Sequence, residues 1–271
     1  MRFKHLLILI ISMVFFSCQK NAEVINQPQK PIPNILLKDV LISNLPSPYY
    51  HFEYDSHGRA NFVSFASDFL RYKVVYNEGK IAEMRNNILV NKDRLQYFYD
   101  DKGRVMLIKY VDSSGNVFGK SSFTYNGQRL IKANREHKVA GRFILDRTMT
   151  MLYYDDGNLM QLTDHRPANN EQTESTLIDR FEQYDNKINV GGFNLLHPDF
   201  FEHLFFLPQV QLQKNNPAKE TLIGNTINYQ INYTYTYNEK NAPLTKKGNG
   251  IITNADNTTQ TFKTSSTYTY Y

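Results

Sequence analysis

Phe98-Tyr99-Asp100-Asp101-Lys102-Gly103-Arg104-Val105 decides how this chain is read. A strand-forming aromatic pair runs into an acid, two polar residues, a glycine, a base and an apolar restart. Asp just after a strand can hydrogen-bond the backbone two residues on, and Gly supplies the positive φ that closes a hairpin loop of three to five residues. The same unit stands at Phe52-Glu53-Tyr54-Asp55-Ser56-His57-Gly58-Arg59 and at Val75-Tyr76-Asn77-Glu78-Gly79-Lys80-Ile81. It returns at Thr124-Tyr125-Asn126-Gly127-Gln128-Arg129-Leu130 and at Tyr153-Tyr154-Asp155-Asp156-Gly157-Asn158-Leu159. Degenerate copies follow at Tyr184-Asp185-Asn186-Lys187 and Tyr237-Asn238-Glu239-Lys240-Asn241, where Asn241 replaces Gly as the next-best residue at positive φ.

From Tyr54 through Tyr76, Tyr99, Tyr125 and Tyr154 to Tyr184 the anchors recur every 22 to 30 residues, which suits one two-stranded hairpin per unit. The flanks alternate as strands do: Tyr233, Tyr235 and Tyr237 share one face, Asn232, Thr234 and Thr236 the other. Seven turns imply about fourteen strands, and Thr267-Tyr268-Thr269-Tyr270-Tyr271 adds a closing one. An open twisted sheet rarely exceeds about ten strands without curling, and bare edges invite aggregation. The expected fold is therefore all-β: an antiparallel meander of serial hairpins curled into a half-barrel or barrel, with one short helical insertion.

These units resemble the YD-repeat family, whose repeats carry the same Tyr-Asp, turn, Gly-Arg or Gly-Lys pattern. They are more similar still to small Bacteroidota lipoproteins built from such units and described as porin-like half-barrels. Three features match that group: the N-terminal signal, Tyr184-Asp185-Asn186-Lys187 at the opening of a long insertion, and Lys214-Asn215-Asn216-Pro217 before the last strands. The resemblance covers most of residues 49–271 and implies fold and envelope location; it brings no activity.

The N-terminus has a secretory pattern. Arg2 and Lys4 precede an apolar run from Leu6 to Phe16, too short for a membrane-spanning helix of about 20 residues. Phe15-Phe16-Ser17-Cys18 resembles a bacterial lipobox, although Phe16 departs from its usual small residue. Residues 1–17 are thus expected to be a signal peptide, Cys18 the lipidated N-terminus, 18–33 a proline-spaced tether and 34–271 one β-repeat domain. A single Cys excludes an internal disulfide framework and multi-cysteine metal sites. Setting aside Arg2 and Lys4 lowers the net charge from +5 to +3, with the bases scattered, which argues against nucleic acid as a partner. In lipoproteins of the phylum this chain resembles, an acidic run after the cysteine accompanies display on the cell surface; the residues after Cys18 lack one, so the resemblance implies the periplasmic face of the outer membrane over the cell surface.

One segment, about 188–222, breaks the repeat. Pro198 at a first helical position, Asp199 and Glu202, and Pro208 as a stop predict a helix of about two turns. Phe200, Phe201, Leu204 and Phe205 form its apolar side, read as a plug over one mouth or face of the sheet, or alternatively as a ligand-contacting lid. Asp199 and His203 stand four apart but find no third ligand, so no metal and no cofactor is expected.

The catalytic signatures of hydrolases, nucleotide-binding loops and dinucleotide folds are missing. A glycosidase needs two facing carboxylates, whereas Asp55, Asp100, Asp155 and Asp185 each begin a turn. His51, His57, His137 and His165 have no nucleophile partner. Glu171, Glu174 and Asp179 read as a solvated connection after Pro167. The expectation is a non-enzymatic outer-membrane lipoprotein acting as scaffold or binding module, with the membrane, a glycan or an envelope protein as partner. A carbohydrate-binding envelope protein and a small transmembrane barrel are the alternatives. Against the latter, Arg71, Lys73, Lys80, Glu83 and Arg85 occupy both alternation parities, whereas a lipid-facing side is free of charge.

Overall fold

The computed structural model describes residues 35–86, 93–169, 173–197, 205–225 and 227–271. The signal, Cys18, the tether, Glu171, Asp199, His203 and the predicted apolar residues Phe200, Phe201 and Leu204 lie outside these residues. Sixteen strands run in chain order: β1 (Leu37–Ile42), β2 (Tyr50–Tyr54), β3 (Ala60–Phe65), β4 (Leu70–Asn77), β5 (Lys80–Asn86), β6 (Arg94–Tyr99), β7 (Val105–Val111) and β8 (Val117–Asn126). They continue as β9 (Arg129–Val139), β10 (Arg142–Tyr153), β11 (Leu159–Arg166), β12 (Ser175–Tyr184), β13 (Pro217–Ile223), β14 (Ile227–Tyr237), β15 (Pro243–Asn254) and β16 (Thr259–Tyr270). Every strand pairs antiparallel with its sequence neighbours, and β1 pairs with β16 through Leu37↔Tyr270 and Val40↔Tyr268, which closes the barrel. The strand that the repeat did not announce is β1; it follows no tyrosine turn, yet it removes both sheet edges.

The antiparallel order puts all the tyrosine turns at one mouth. There lie the β2–β3, β4–β5, β6–β7, β8–β9, β10–β11 and β14–β15 hairpins, the start of β1 and the end of β16. The β1–β2, β7–β8, β9–β10 and β15–β16 connections sit at the opposite mouth. Turn lengths vary more than the expected three to five residues. β4 and β5 are joined by Glu78-Gly79 alone, both at positive φ (49° and 78°), the two-residue turn whose twist suits a hairpin. Asn241 has φ 61°, as its place in the last unit requires.

Alternation sorts the side chains. In β14, Ile231 and Tyr233 are buried while Asn232, Thr234 and Thr236 are exposed. Val63, Met84, Leu95, Val105, Ile108, Leu130 and Leu159, drawn from six strands, belong to one buried cluster inside the barrel. The outer face is polar: Lys73 pairs with Arg85, and Glu83 lies opposite Val75 on that same face. The two-parity reading of these charges is corrected here. A register shift at Val75/Tyr76 resets the count, and Arg71, Lys73, Glu83 and Arg85 all lie outside.

Sixteen strands make a barrel too wide to be filled by its own side chains alone; porins of that size hold a channel. Here the chain between Tyr184 and Pro217 fills it. Leu196, Phe205 and Leu212 join the buried cluster, Phe193 packs edge-on against Tyr50 and Phe52 (5.0 and 5.3 Å), and the Phe206 N–H donates to the Tyr97 hydroxyl at 3.0 Å. The expected limits of 188–222 are thereby corrected: residues 217–222 are barrel strand, and the insertion is 185–216. Its described helical element is a 3₁₀ turn at Gly192–Leu196, ahead of the predicted helix, whose first turn lies outside the described residues. Phe205 is 7% exposed and packs on Phe123 (5.6 Å) and His197 (4.6 Å), so it is part of a plug rather than a lid.

Candidate functional site

The repeat residues stand together at the turn mouth, and their geometry explains why each type recurs. Tyr54, Tyr76, Tyr99 and Tyr125 donate their hydroxyls to the carbonyls of Leu37, Ala60, Ile81 and Val105 at 2.8 to 2.9 Å. Each bond runs from the end of an even strand to the start of the preceding odd one, stitching one hairpin to the last. Tyr153, Tyr184, Tyr235 and Tyr270 do the same to Leu130, Leu159, Pro217 and Pro243. Two anchors are thus corrected. Tyr153 rather than Tyr154, and Tyr235 rather than Tyr237, make the clamp; Tyr154 holds the turn position that Asp55 holds in the first unit, its N–H bonded to the Asn158 carbonyl.

The acids serve the turns. Asp55 accepts from the N–H groups of His57 and Arg59 and from the Arg59 guanidinium, which holds its carboxyl well down, to about 2. Asp100 repeats this with Lys102 and Arg104. Asp155 does not, and in its unit Asp156 accepts from the Asn158 N–H. Gly58, Gly103 and Gly157 carry the positive φ of these loops, and Gly127 that of the β8–β9 turn. The base after each turn lies over the next unit's tyrosine: Arg59 over Tyr76, Lys80 over Tyr99, Arg104 over Tyr125 and Arg129 over Tyr153, at 4.5 to 5.7 Å. With their hydroxyls, their faces or both engaged, these tyrosines build the mouth; a sugar platform on them, or peptide addition to a sheet edge, has no basis in a closed barrel.

The insertion is clipped at the same mouth. Asn158 Oδ1 accepts from the N–H groups of Lys214 and Asn215, and Asp185 Oδ1 from that of Asn216, all at 3.0 Å.

The chemistry lies inside. Six consecutive strands, β10 to β15, each turn a polar side chain into the lumen: Arg147, Asp164, Asp179, Glu220, Tyr229 with Tyr233, and Lys246. Arg147, 1% exposed, bonds Asp164 through Nε (2.8 Å) and Nη2 (2.9 Å), and Arg166 reaches the same carboxylate at 3.3 Å. A bulge between Leu145 and Arg147 brings Asp146 inward as well, where Arg135 bonds it at 3.1 Å. Glu220 accepts one tyrosine hydroxyl on each oxygen, from Tyr229 and Tyr233, both at 2.8 Å.

Asp179 corrects the sequence reading most sharply. It is no solvated loop acid but a β12 side chain facing the lumen, with Oδ1 buried and making no hydrogen bond among the described residues. Burial, then the charge of Glu220, pushes its carboxyl up to about 8 against the pull of Lys246. Burial pushes the Lys246 ammonium down, opposed by Glu220 and Asp179. The sequence held one signal for this belt, a charge at an inward position between apolar ones, as in Leu177-x-Asp179-x-Phe181.

These groups line a cavity of 360 Å³ whose other walls are Ile42, Tyr49, Leu162, Leu177 and Leu222, with Leu195 and His197 of the plug as floor. A second cavity of 240 Å³ shares Arg147 and holds Arg135, His137 and Asp146. Of their lining residues, Tyr49 lies in the β1–β2 connection, Phe118 near the start of β8 and His137 near the end of β9, all towards the mouth opposite the tyrosine turns. The 360 Å³ of the first cavity falls in the range of small-molecule sites, about 300 to 1,000 Å³.

Fold and lumen define a closed sixteen-stranded antiparallel barrel, plugged from its turn mouth, with a charged pocket above the plug. No protein-family model matches the sequence, and no curated protein matches it. Among solved structures the chain is similar to a porin-like protein from Bacteroides uniformis, with a TM-score of 0.57 and 15% identity over 88% of this chain and 95% of that one. That likeness shows the barrel fold. TcdB2-TccC3 without its hypervariable C-terminal region aligns over 79% of this chain and 13% of that one, at 14% identity and a TM-score of 0.31, too low to argue from.

Proposed function

We propose that this chain is a non-enzymatic binding module of the bacterial envelope, a YD-repeat lipoprotein anchored through Cys18 that takes a small ligand into its lumen from the mouth opposite the tyrosine turns. The observation that carries this reading is the lumenal cavity, lined by Asp179 and Lys246, whose side chains make no hydrogen bond among the described residues. The lipobox-like run, the tether and the porin-like neighbour support an outer-membrane address, and the missing acidic run supports its periplasmic face. A transmembrane pore fits poorly. Membrane barrels are apolar outside and polar within, whereas this one carries Arg71, Lys73, Glu83 and Arg85 outside and a hydrophobic core within. With Glu220 held by two tyrosines, the pocket reads as a recognition site; hydrolysis of aryl glycosides by the Asp179 and Glu220 pair would overturn the non-enzymatic reading.

The test has two arms. Cys18→Ala should release the chain from the membrane fraction, and retention would refute the anchor. Thermal shifts of the detergent-extracted full chain against sugars, amino acids and short peptides should find a stabilising ligand, and Leu177→Trp, which fills the cavity, should abolish that shift. A shift that survives Leu177→Trp, or none across the panel, would refute the lumenal site.

A further inference from the structure

We infer that the lumenal cavity is built for a zwitterion with an apolar body, of the chemical class of a branched or aromatic α-amino acid, its carboxylate on Lys246 and its ammonium on Asp179. This rests on the lumenal reading above and names its ligand class. Lys246 is half-buried, faces the lumen, and makes neither a hydrogen bond nor an ion pair among the described residues; its defined contact is the face of Tyr233, 3.8 Å from the ring centroid. It lines both the main cavity and a smaller one of 80 Å³. An ammonium turned into a lumen without an acceptor is costly, and so is a buried carboxyl oxygen without a partner. Glu220 cannot serve either group freely, because its two oxygens already accept from Tyr229 and Tyr233. Asp164 is equally committed, to Arg147 and Arg166.

What the cavity lacks is therefore one acceptor for Lys246 and one partner for Asp179. A simple amine would leave Lys246 unmet and add a cation beside Lys246 and Arg147. A simple carboxylate could accept from Lys246 and from the proton on Asp179, but it would add an anion beside Asp164 and Glu220. A sugar could bond both groups but would lie its hydroxyls against Ile42, Leu162, Leu177 and Leu222. A zwitterion brings no net charge of its own, so the one charge change on binding is the proton Asp179 gives up; it meets both groups and gives the four aliphatic side chains an apolar body to cover. Below about pH 8 Asp179 holds a proton, so an ammonium settling on it displaces that proton to solvent. Glu220, Tyr229 and Lys246 share the cavity with Asp179 from β13 to β15, Arg147 and Asp164 from β10 and β11, and His197 from the plug.

The experiment is calorimetric titration of the detergent-extracted full chain with four probes: L-leucine, isoamylamine, 4-methylpentanoate and glucose. L-leucine should bind at least tenfold more tightly than the amine or the acid, with proton release at pH 7 seen as binding heats that differ between two buffers. Lys246→Met and Asp179→Asn should each weaken L-leucine at least tenfold while the near-UV tyrosine dichroism stays unchanged. The wild-type comparison of whole ligand with half-ligands needs no variant and stands if a variant fails to fold. The zwitterion is refuted if isoamylamine or 4-methylpentanoate binds as tightly as L-leucine, if glucose binds and L-leucine does not, or if none of the four binds. Glucose binding lost in Leu177→Trp would refute the ligand class and keep the lumenal site.

Discussion

The guanidinium of Arg104 lies over the ring of Tyr125, 4.7 Å from its centroid, and its Nε bonds Asp100 at 2.7 Å. Arg104 closes one turn, Tyr125 ends the strand before the next, and a further Arg104 nitrogen donates to the Gly127 carbonyl of that next turn. One side chain thus couples two successive hairpins, and the tyrosine it covers stitches back to Val105. A barrel made of local hairpins needs such links, because the ladder alone sets no limit on how neighbouring turns lean.

The coupling is measurable. Arg104 is largely buried, at 14% side-chain exposure, so its cation–π contact with Tyr125 is worth about 1 to 2 kcal/mol. In a double-mutant cycle of Arg104→Ala and Tyr125→Leu, read by urea unfolding, the expected interaction energy lies in that range. A coupling near zero would reduce the repeat's base to a solubilising residue.

What was legible in the sequence was what short-range chemistry writes. The spacing of Asp100 and Gly103 makes a turn through local bonds alone, so the hairpins and their serial order could be read from one unit. The insertion showed as a break in that rhythm. The lumenal belt was illegible because its members come from six strands and meet only once the barrel closes. Asp179 was misread because the polar run of Glu171 and Glu174 hid the start of β12 at Ser175. Tyr153 and Tyr154 stand side by side, and nothing local says which ends the strand; the backbone bond from Tyr154 to Asn158 decides it. β1 carries no turn residue at all, and only its pairing with both β2 and β16 reveals its role.

The plug is expected to hold the barrel together. Phe205 contacts Phe123 across the lumen and reaches His197 within the insertion. Phe205→Ala removes a buried ring and leaves a cavity, a loss of about 3 to 5 kcal/mol. Leu152→Ala, on a half-exposed outer position, should change stability by less than about 0.5 kcal/mol. If both variants unfold at the same urea concentration, the plug is an ornament of the fold rather than its core.

The Arg147 and Asp164 pair is expected to behave asymmetrically. Arg147→Met strands a carboxylate that is 7% exposed, with Arg166 as its remaining partner, and should cost about 3 kcal/mol. Replacing both, Arg147→Met with Asp164→Leu, removes the stranded charge and should recover at least half of that loss. Urea midpoints of the single and double variants check this. A double variant weaker than the single one would mean that the pair itself stabilises the barrel beyond the cost of burying it.

Asp179 gives the barrel a pH dependence of unusual sign for an acid. Its carboxyl titrates at about 8 when folded, against an ordinary 3.8. Between those values the folded chain holds a proton that the unfolded chain has released, so stability falls as pH rises through this window. The contribution is fully present below about pH 4 and gone above about pH 8. Lys246, whose ammonium burial pushes down, acts oppositely, gaining stability as pH rises towards its unfolded value. Asp55, held down by Arg59, keeps its contribution above about pH 4 and loses it as pH falls through about 2, which leaves the neutral window untouched. Asp179→Asn should therefore flatten the fall in unfolding temperature between pH 5 and 8 while leaving the profile below pH 4 unchanged. An equally steep fall in wild type and variant would place the titrating proton elsewhere than in the lumen.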